Sequence, residues 1–209
     1  MAWEHDYFRL FISHTSAFHE FASAIAKILH DRYGIDGFVA HADIEPSADW
    51  QNEIEASLKS MDALLALLTP GFSQSYWCNQ EVGWALGRPC LAVSVWAGED
   101  PRGFVGRFQG VPGGDGNVLR IADTVFDVLA KHPTTRVRIG IVTSLRLRHA
   151  NSWESIRYYI GPQIERLTQM TPEILDNLEA AFHESHHVQE SYYLSDVRAL
   201  LAKNGRQLG

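Results

Sequence analysis

Residues 63–68 read Ala-Leu-Leu-Ala-Leu-Leu, apolar at every position. A strand with one wet face alternates polar and apolar residues. One that is apolar throughout is covered on both faces, an arrangement found mostly in parallel sheets flanked by helices. This run therefore predicts the central strand of such a sheet, ended by Thr69-Pro70-Gly71. The flanking sequence supplies the remaining parts. Phe8, Leu10, Phe11 and Ile12 predict a buried strand ending in Ser13-His14, and Phe18, Phe21, Ala22, Ile25, Ile28 and Leu29 recur at helical spacing up to Gly34. Residues 37–40 predict a second strand. A helix follows, striped by Trp50, Ile54 and Leu58, with Asp49 as its cap. Ser75 to Leu86 predicts a helix and Cys90 to Trp96 a strand. Gly98 to Gly116 reads as a long surface loop, Val118 to Ile121 as a last strand, and Thr124 to Lys131 as a helix.

The resulting order, strand and helix in alternation, predicts an α/β doubly wound parallel sheet with right-handed crossovers. Sheets of this type take ligands beyond the carboxyl ends of their strands. Ser13-His14, the loop containing Asp43 and the helix from Ser75 all emerge at that edge. The sequence thus converges on one place.

Beyond His132-Pro133-Thr134 the pattern changes. Val137, Ile139 and Ile141, then Leu145 and Leu147, show partial alternation and predict an extra strand or hairpin within 136–148. Helices are expected over about 152–168, 172–186 and 194–204, the second opened by Thr171-Pro172-Glu173. The expected division is residues 5–133 as the α/β domain and 134–209 as a mainly helical accessory region.

Charge narrows the partners. The 209 residues carry a net charge of −7, which argues against a dedicated nucleic-acid binder. Residues 102–157 nevertheless hold nine Lys/Arg against four Asp/Glu. A basic face or a phosphate-bearing or acidic partner accounts for that excess. The two cysteines, Cys78 and Cys90, make no disulfide framework and suit a reducing compartment. Met1-Ala2-Trp3-Glu4-His5-Asp6 has acids where a signal peptide needs basic residues, and no apolar run spans a bilayer. A cytoplasmic location is expected.

Three boxes in register carry a family resemblance: Phe11-Ile12-Ser13-His14; Asp43-Ile44-Glu45-Pro46 followed by Trp50, Glu53 and Ile54; and Ser75-Tyr76-Trp77-Cys78-Asn79-Gln80-Glu81. Together with the element order they resemble a bacterial TIR (Toll/interleukin-1 receptor) domain of the NAD-cleaving type, with a flavodoxin-like fold. The resemblance implies Glu81 as the catalytic carboxylate, with Phe11, Ser13, His14, Asp43, Trp50 and Trp77 at the substrate. NAD+ would be a substrate and no separate cofactor is needed. Expulsion of nicotinamide leaves a cationic ribose that a fixed carboxylate stabilises. Helical spacing puts Trp77 on the same face as Glu81, as an aromatic wall or as a core residue. Phe11, Ser13, His14 and Trp50 likewise admit packing roles.

The resemblance further implies nicotinamide and ADP-ribose, or a cyclic ADP-ribose isomer, as products. It implies Thoeris-like antiphage defence, self-association through TIR–TIR contacts, and a downstream effector that senses a cyclic product. The alternative is a non-catalytic TIR scaffold acting by self-association. Neither nucleic acid nor membrane is an expected partner. Finally, His183-Glu184-Ser185-His186-His187 spells H-E-x-x-H, the helical zinc-protease pattern. A zinc site needs a third ligand. Glu190 is too close to come from a separate helix and Asp196 is the only later acid, so these histidines are expected to be structural and no metal is expected.

Overall fold

The computed structural model describes residues 3–39 and 48–206. Its strands are β1 (Phe8–Ser13), β2 (Ile35–Val39), β3 (Ala63–Leu68), β4 (Leu91–Trp96) and β5 (Gln109–Pro112). They form one all-parallel sheet in the order β2-β1-β3-β4-β5. This is the flavodoxin-like winding, in which the chain passes from β1 to one side and returns on the other. The switch point lies between β1 and β3.

The apolar run of β3 is buried at all six positions. Phe11, Leu64, Ala66 and Leu68 pack on one face with α2 (Ala48–Ser60) and α3 (Tyr76–Leu86), through Ile54, Leu58, Cys78, Val82 and Ala85. The alternate residues Leu10, Ile12, Leu65 and Leu67 have no exposure either, so both faces are covered. Helix α1 (His19–Tyr33) buries Ala22, Ile25 and Leu29, and α4 (Val118–Lys131) buries Ile121, Ala122, Val125 and Phe126.

Two expectations are corrected here. Val118–Ile121 is not a strand but the first turn of α4: Asn117 Oδ1 accepts from Arg120 N at 3.0 Å and starts the helix early. The last strand is β5, inside the segment expected to be a loop. It pairs only with β4, so Pro112 loses no ladder bond that the sheet needs.

Cα packing divides the chain into two units. The first is the chain to Asp31 together with Ile35–Val128; the second is Arg32–Gly34 together with Leu129 onward. The second unit is helical: α5 (Arg136–Arg148), α6 (Trp153–Ser155), a π turn at Ile156–Ile160, α7 (Gly161–Ile164), α8 (Pro172–Glu184), α9 (His186–Gln189) and α10 (Tyr193–Lys203). The strand or hairpin expected within 136–148 is therefore replaced by α5. Its buried set, Ile139, Gly140, Val142, Thr143, Ser144 and Leu147, follows helical spacing and includes small and hydroxyl residues that hydrophobic alternation overlooks. Thr171 caps α8, accepting from Ile174 N, with Pro172 at the first helical position. Among the described residues, no helix is long and apolar enough to cross a membrane.

Candidate functional site

Helix α3 starts at Ser75, whose Oγ accepts from Cys78 N at 3.3 Å. Its inward stripe is Cys78, Glu81, Val82 and Ala85, spaced as one buried helical face. Three of these are what a core requires; Glu81 is not. It is 6 % exposed, and no other Asp, Glu, Lys or Arg among the described residues is buried to this degree. An acid in that position costs stability unless it is compensated.

Compensation is slight. Ser13, the last residue of β1 and itself buried, donates its Oγ hydrogen to Glu81 Oε2 at 2.5 Å. Among the described residues, no cation perturbs the carboxylate. Burial pushes its pKa up to about 7, only partly opposed by the Ser13 hydrogen bond. Near neutrality Glu81 therefore exchanges a proton with its surroundings, as a functional acid does more often than a structural one.

The sheet makes room for this pair. In register with Ser13 stand Ala66 on β3, Ser94 on β4 and Gly110 on β5, small residues along one row at the carboxyl edge. Trp96, 43 % exposed, donates Nε1–H to Ser94 Oγ at 2.9 Å, and its ring lies over Gly110, where any Cβ would collide with it. Neither Ser94 nor Trp96 stands out in the sequence. Their signal is a polar residue and a bulky aromatic closing an otherwise apolar strand, and it becomes readable only once the register is known.

The other expected residues are placed as follows. His14 Nδ1 lies 3.1 Å from Ile12 O and its Nε2 3.3 Å from His19 Nδ1; burial, then the neighbouring His19, keeps its pKa low despite the Ile12 contact. Cys78 Sγ donates to His14 O at 3.3 Å, so one thiol joins α3 to the end of β1. Burial holds that thiol at about 11, which removes it as a nucleophile near neutral pH. Phe11 is fully buried against Phe38, with ring centroids 5.3 Å apart, the position of a core residue. Trp77 is 42 % exposed although Glu81, one helical turn on, is buried. Asp43 lies outside the described residues, and for Trp50 only its backbone position in α2 is described. The structure thus brings Ser13, His14, Cys78 and Glu81 together, with Phe11 deeper in the core that Cys78 also joins.

Residues 10–111 match the family model of the TIR domain. The chain carries a TIR domain. No curated protein and no solved structure gives a significant match. The matched span contains most of β1, all of β2 to β4, most of β5, and the whole Ser13–Glu81 arrangement of this TIR domain. It leaves α4 and every helix after it outside.

The H-E-x-x-H pattern does not sit on one helix. Helix α8 ends at Glu184, and Ser185 caps a new helix, its Oγ accepting from Val188 N at 3.4 Å. His183 and His187 thus lie on different helices, and the i, i+4 geometry that the metal pattern needs is lost. Among the described residues, no three His, Cys, Asp or Glu side chains are grouped to hold a metal ion.

Proposed function

We propose that the TIR domain of this chain cleaves the nicotinamide–ribose bond of NAD+, with Glu81 as the catalytic carboxylate. The observation that carries the reading is the buried carboxylate at the carboxyl edge of β1, which among the described residues has Ser13 as its hydrogen-bond partner and no cation beside it. A site with no counter-charge of its own favours a cationic ligand, and the pyridinium of NAD+ is one. Its approach lowers the Glu81 pKa and ionises the side chain when it is needed. The bond from ribose C1′ to the ring nitrogen then breaks, its electron pair neutralises the pyridinium, and nicotinamide leaves. The carboxylate stabilises the oxocarbenium-like ribose through a medium of low polarity. Water adds to C1′ and loses a proton, giving ADP-ribose; capture by a hydroxyl of the second ribose gives a cyclic isomer instead. In a bacterial host this chemistry serves antiphage defence, by depleting NAD+ or by making a cyclic signal for an effector, as in Thoeris-like systems.

Incubating the purified chain with NAD+ and resolving the products by chromatography tests the reading. Nicotinamide should appear, and Glu81→Gln should slow its release by about 10²–10³-fold, the usual loss when one transition-state stabiliser is removed. Wild-type rates in a folded Glu81→Gln variant would remove Glu81 from the mechanism.

A scaffold reading has its own support. The outward side of α3 presents Tyr76, Trp84 and Leu86, at 85 %, 36 % and 44 % exposure, and large apolar groups on a helix surface suit TIR–TIR association. Self-association and catalysis are compatible. A pure scaffold would assemble normally while releasing no nicotinamide.

A further inference from the structure

The helical unit contains a cleft of about 470 Å³, within the size range of small-molecule sites. It is lined by Trp153 of α6, Ile156 and Arg157 of the π turn, His187 of α9, and the segment from Glu190 to Tyr193. None of these residues falls in the span that matches the TIR family.

Three properties distinguish it from a packing defect. First, its walls are aromatic and open: Trp153 is 49 % and Tyr192 89 % exposed, although the core of the same unit buries Ile156, Ile160, Leu178 and Val197. Second, Arg157 is uncommitted. Its guanidinium stands 5.4 Å from the Tyr158 ring centroid and 6.0 Å from that of Tyr192, and these ring contacts are its only interactions with described residues. Its hydrogen-bond donors remain open to an anion. Third, the backbone there is specialised. Ile156–Ile160 is a π turn, a form that occurs frequently at functional sites. The ring of Tyr193 lies against Gly161, where any side chain would collide with it, and its hydroxyl donates to Gly161 O. Tyr193 is thereby fixed as a rigid wall.

From these we infer that the cleft binds a nucleoside monophosphate, with the base stacked among Trp153 and Tyr192 and the phosphate on Arg157. Stacking on aromatic rings suits any base, and a guanidinium fork suits phosphate oxygens. Glu190, on the same rim, has Oε2 3.3 Å from His186 Nε2 and offers an acceptor to an exocyclic amine. A carboxylate at this position disfavours a bare polyanion and favours a ligand that carries both an anion and a donor.

Isothermal titration of the full chain with AMP, adenosine and inorganic phosphate tests the inference. AMP should bind at least about tenfold more tightly than either fragment. Arg157→Gln should cost AMP about tenfold and leave adenosine unchanged, with Arg157→Lys intermediate. Trp153→Ala should weaken AMP and adenosine alike. Both side chains are at the surface, and an unchanged melting temperature checks that the variants fold. Equal affinity for AMP and adenosine would overturn the phosphate assignment. Absence of AMP binding at about 1 mM, or AMP binding unaffected by both substitutions, would overturn the site. AMP binding here and NAD+ cleavage at Glu81 are separable outcomes, because Glu81→Gln leaves every residue of the cleft in place.

Discussion

The two ends of the central strand pair treat their carboxylates in opposite ways. Where β1 and β3 begin, Asp62 is fully engaged: Oδ1 accepts from Arg9 Nη2 at 2.6 Å, while Oδ2 accepts from Arg9 Nε at 3.2 Å and from Arg9 N at 2.9 Å. The guanidinium pKa rises, chiefly through that hydrogen bonding. Where the same strands end, Glu81 is more deeply buried and has one hydroxyl. A planar cation and two-pronged geometry make the first carboxylate a fastener. Their absence makes the second a liability that only a ligand or a proton relieves. Charged groups at both ends are thus equally conspicuous in composition yet do different jobs, and the difference lies in what each is denied.

The largest effect expected from this contrast is catalytic: Glu81→Ala should remove NAD+ cleavage, while Asp62→Ala should leave kcat within about twofold and act on stability alone. Comparing nicotinamide release in the two variants at matched folded fraction checks both at once. Equal losses would dissolve the distinction.

The next effect is thermodynamic and depends on pH. Because the folded-state pKa of Glu81 lies above its unfolded value, its contribution is favourable below about pH 4.5 and is lost as pH rises through about 7. Ionisation at pH 8 then costs on the order of 3 kcal/mol. Glu81→Gln, which keeps the size and cannot ionise, should be more stable than wild type at pH 8 by up to about that amount and similar to it at pH 4.5. Denaturant melts at the two pH values measure this, and a variant that gains nothing at pH 8 would mean that the carboxylate is better solvated than its surroundings indicate. Asp62→Ala should do the reverse, losing about 1–3 kcal/mol at neutral pH through its orphaned partners.

Ser13→Ala is a smaller perturbation that sharpens the comparison. Removing the one group that lowers the Glu81 pKa should move the acidic limb of the kcat/KM profile to higher pH and cost about 1 kcal/mol of stability. Unaltered pH dependence would show that the hydroxyl only packs. Smallest of all, His183→Ala should change stability by less than about 0.5 kcal/mol and leave nicotinamide release untouched. Stoichiometric zinc in the purified protein, by elemental analysis, would contradict that.

What was readable in the sequence follows the same division. The β3 run, the α1 periodicity and the Thr171-Pro172 start are strong local signals, and each became the element it suggested. The misread stretches are those where tertiary context decides. Val118-Leu119-Arg120-Ile121 has strand-like composition, but the Asn117 cap and the burial of Ile121, Ala122, Val125 and Phe126 make it helical. Strand β5 has a Gly and a Pro in four residues and is a strand only because β4 is beside it. At the site, the boxes named Ser13, His14 and Glu81, and Ser13 and Glu81 meet at the carboxyl end of β1, while Phe11, on the same face of β1 two residues earlier, lies deeper among core side chains. That no described cation stands beside Glu81 is a property of the surroundings, and no motif encodes it.

Strand β5 also bears on how copies of this chain meet. An exposed sheet edge is a template on which a second sheet extends, and proteins blunt it by keeping the edge short and placing proline there. Gln109–Pro112 does both, since four residues ending in a group without an N–H offer an incoming strand little to grip. Filaments or dimers built by continuing the sheet past β5 are therefore disfavoured. A contact made on this side of the sheet would rest instead on the neighbouring helices and loops, where side chains make the contacts and single substitutions can adjust them.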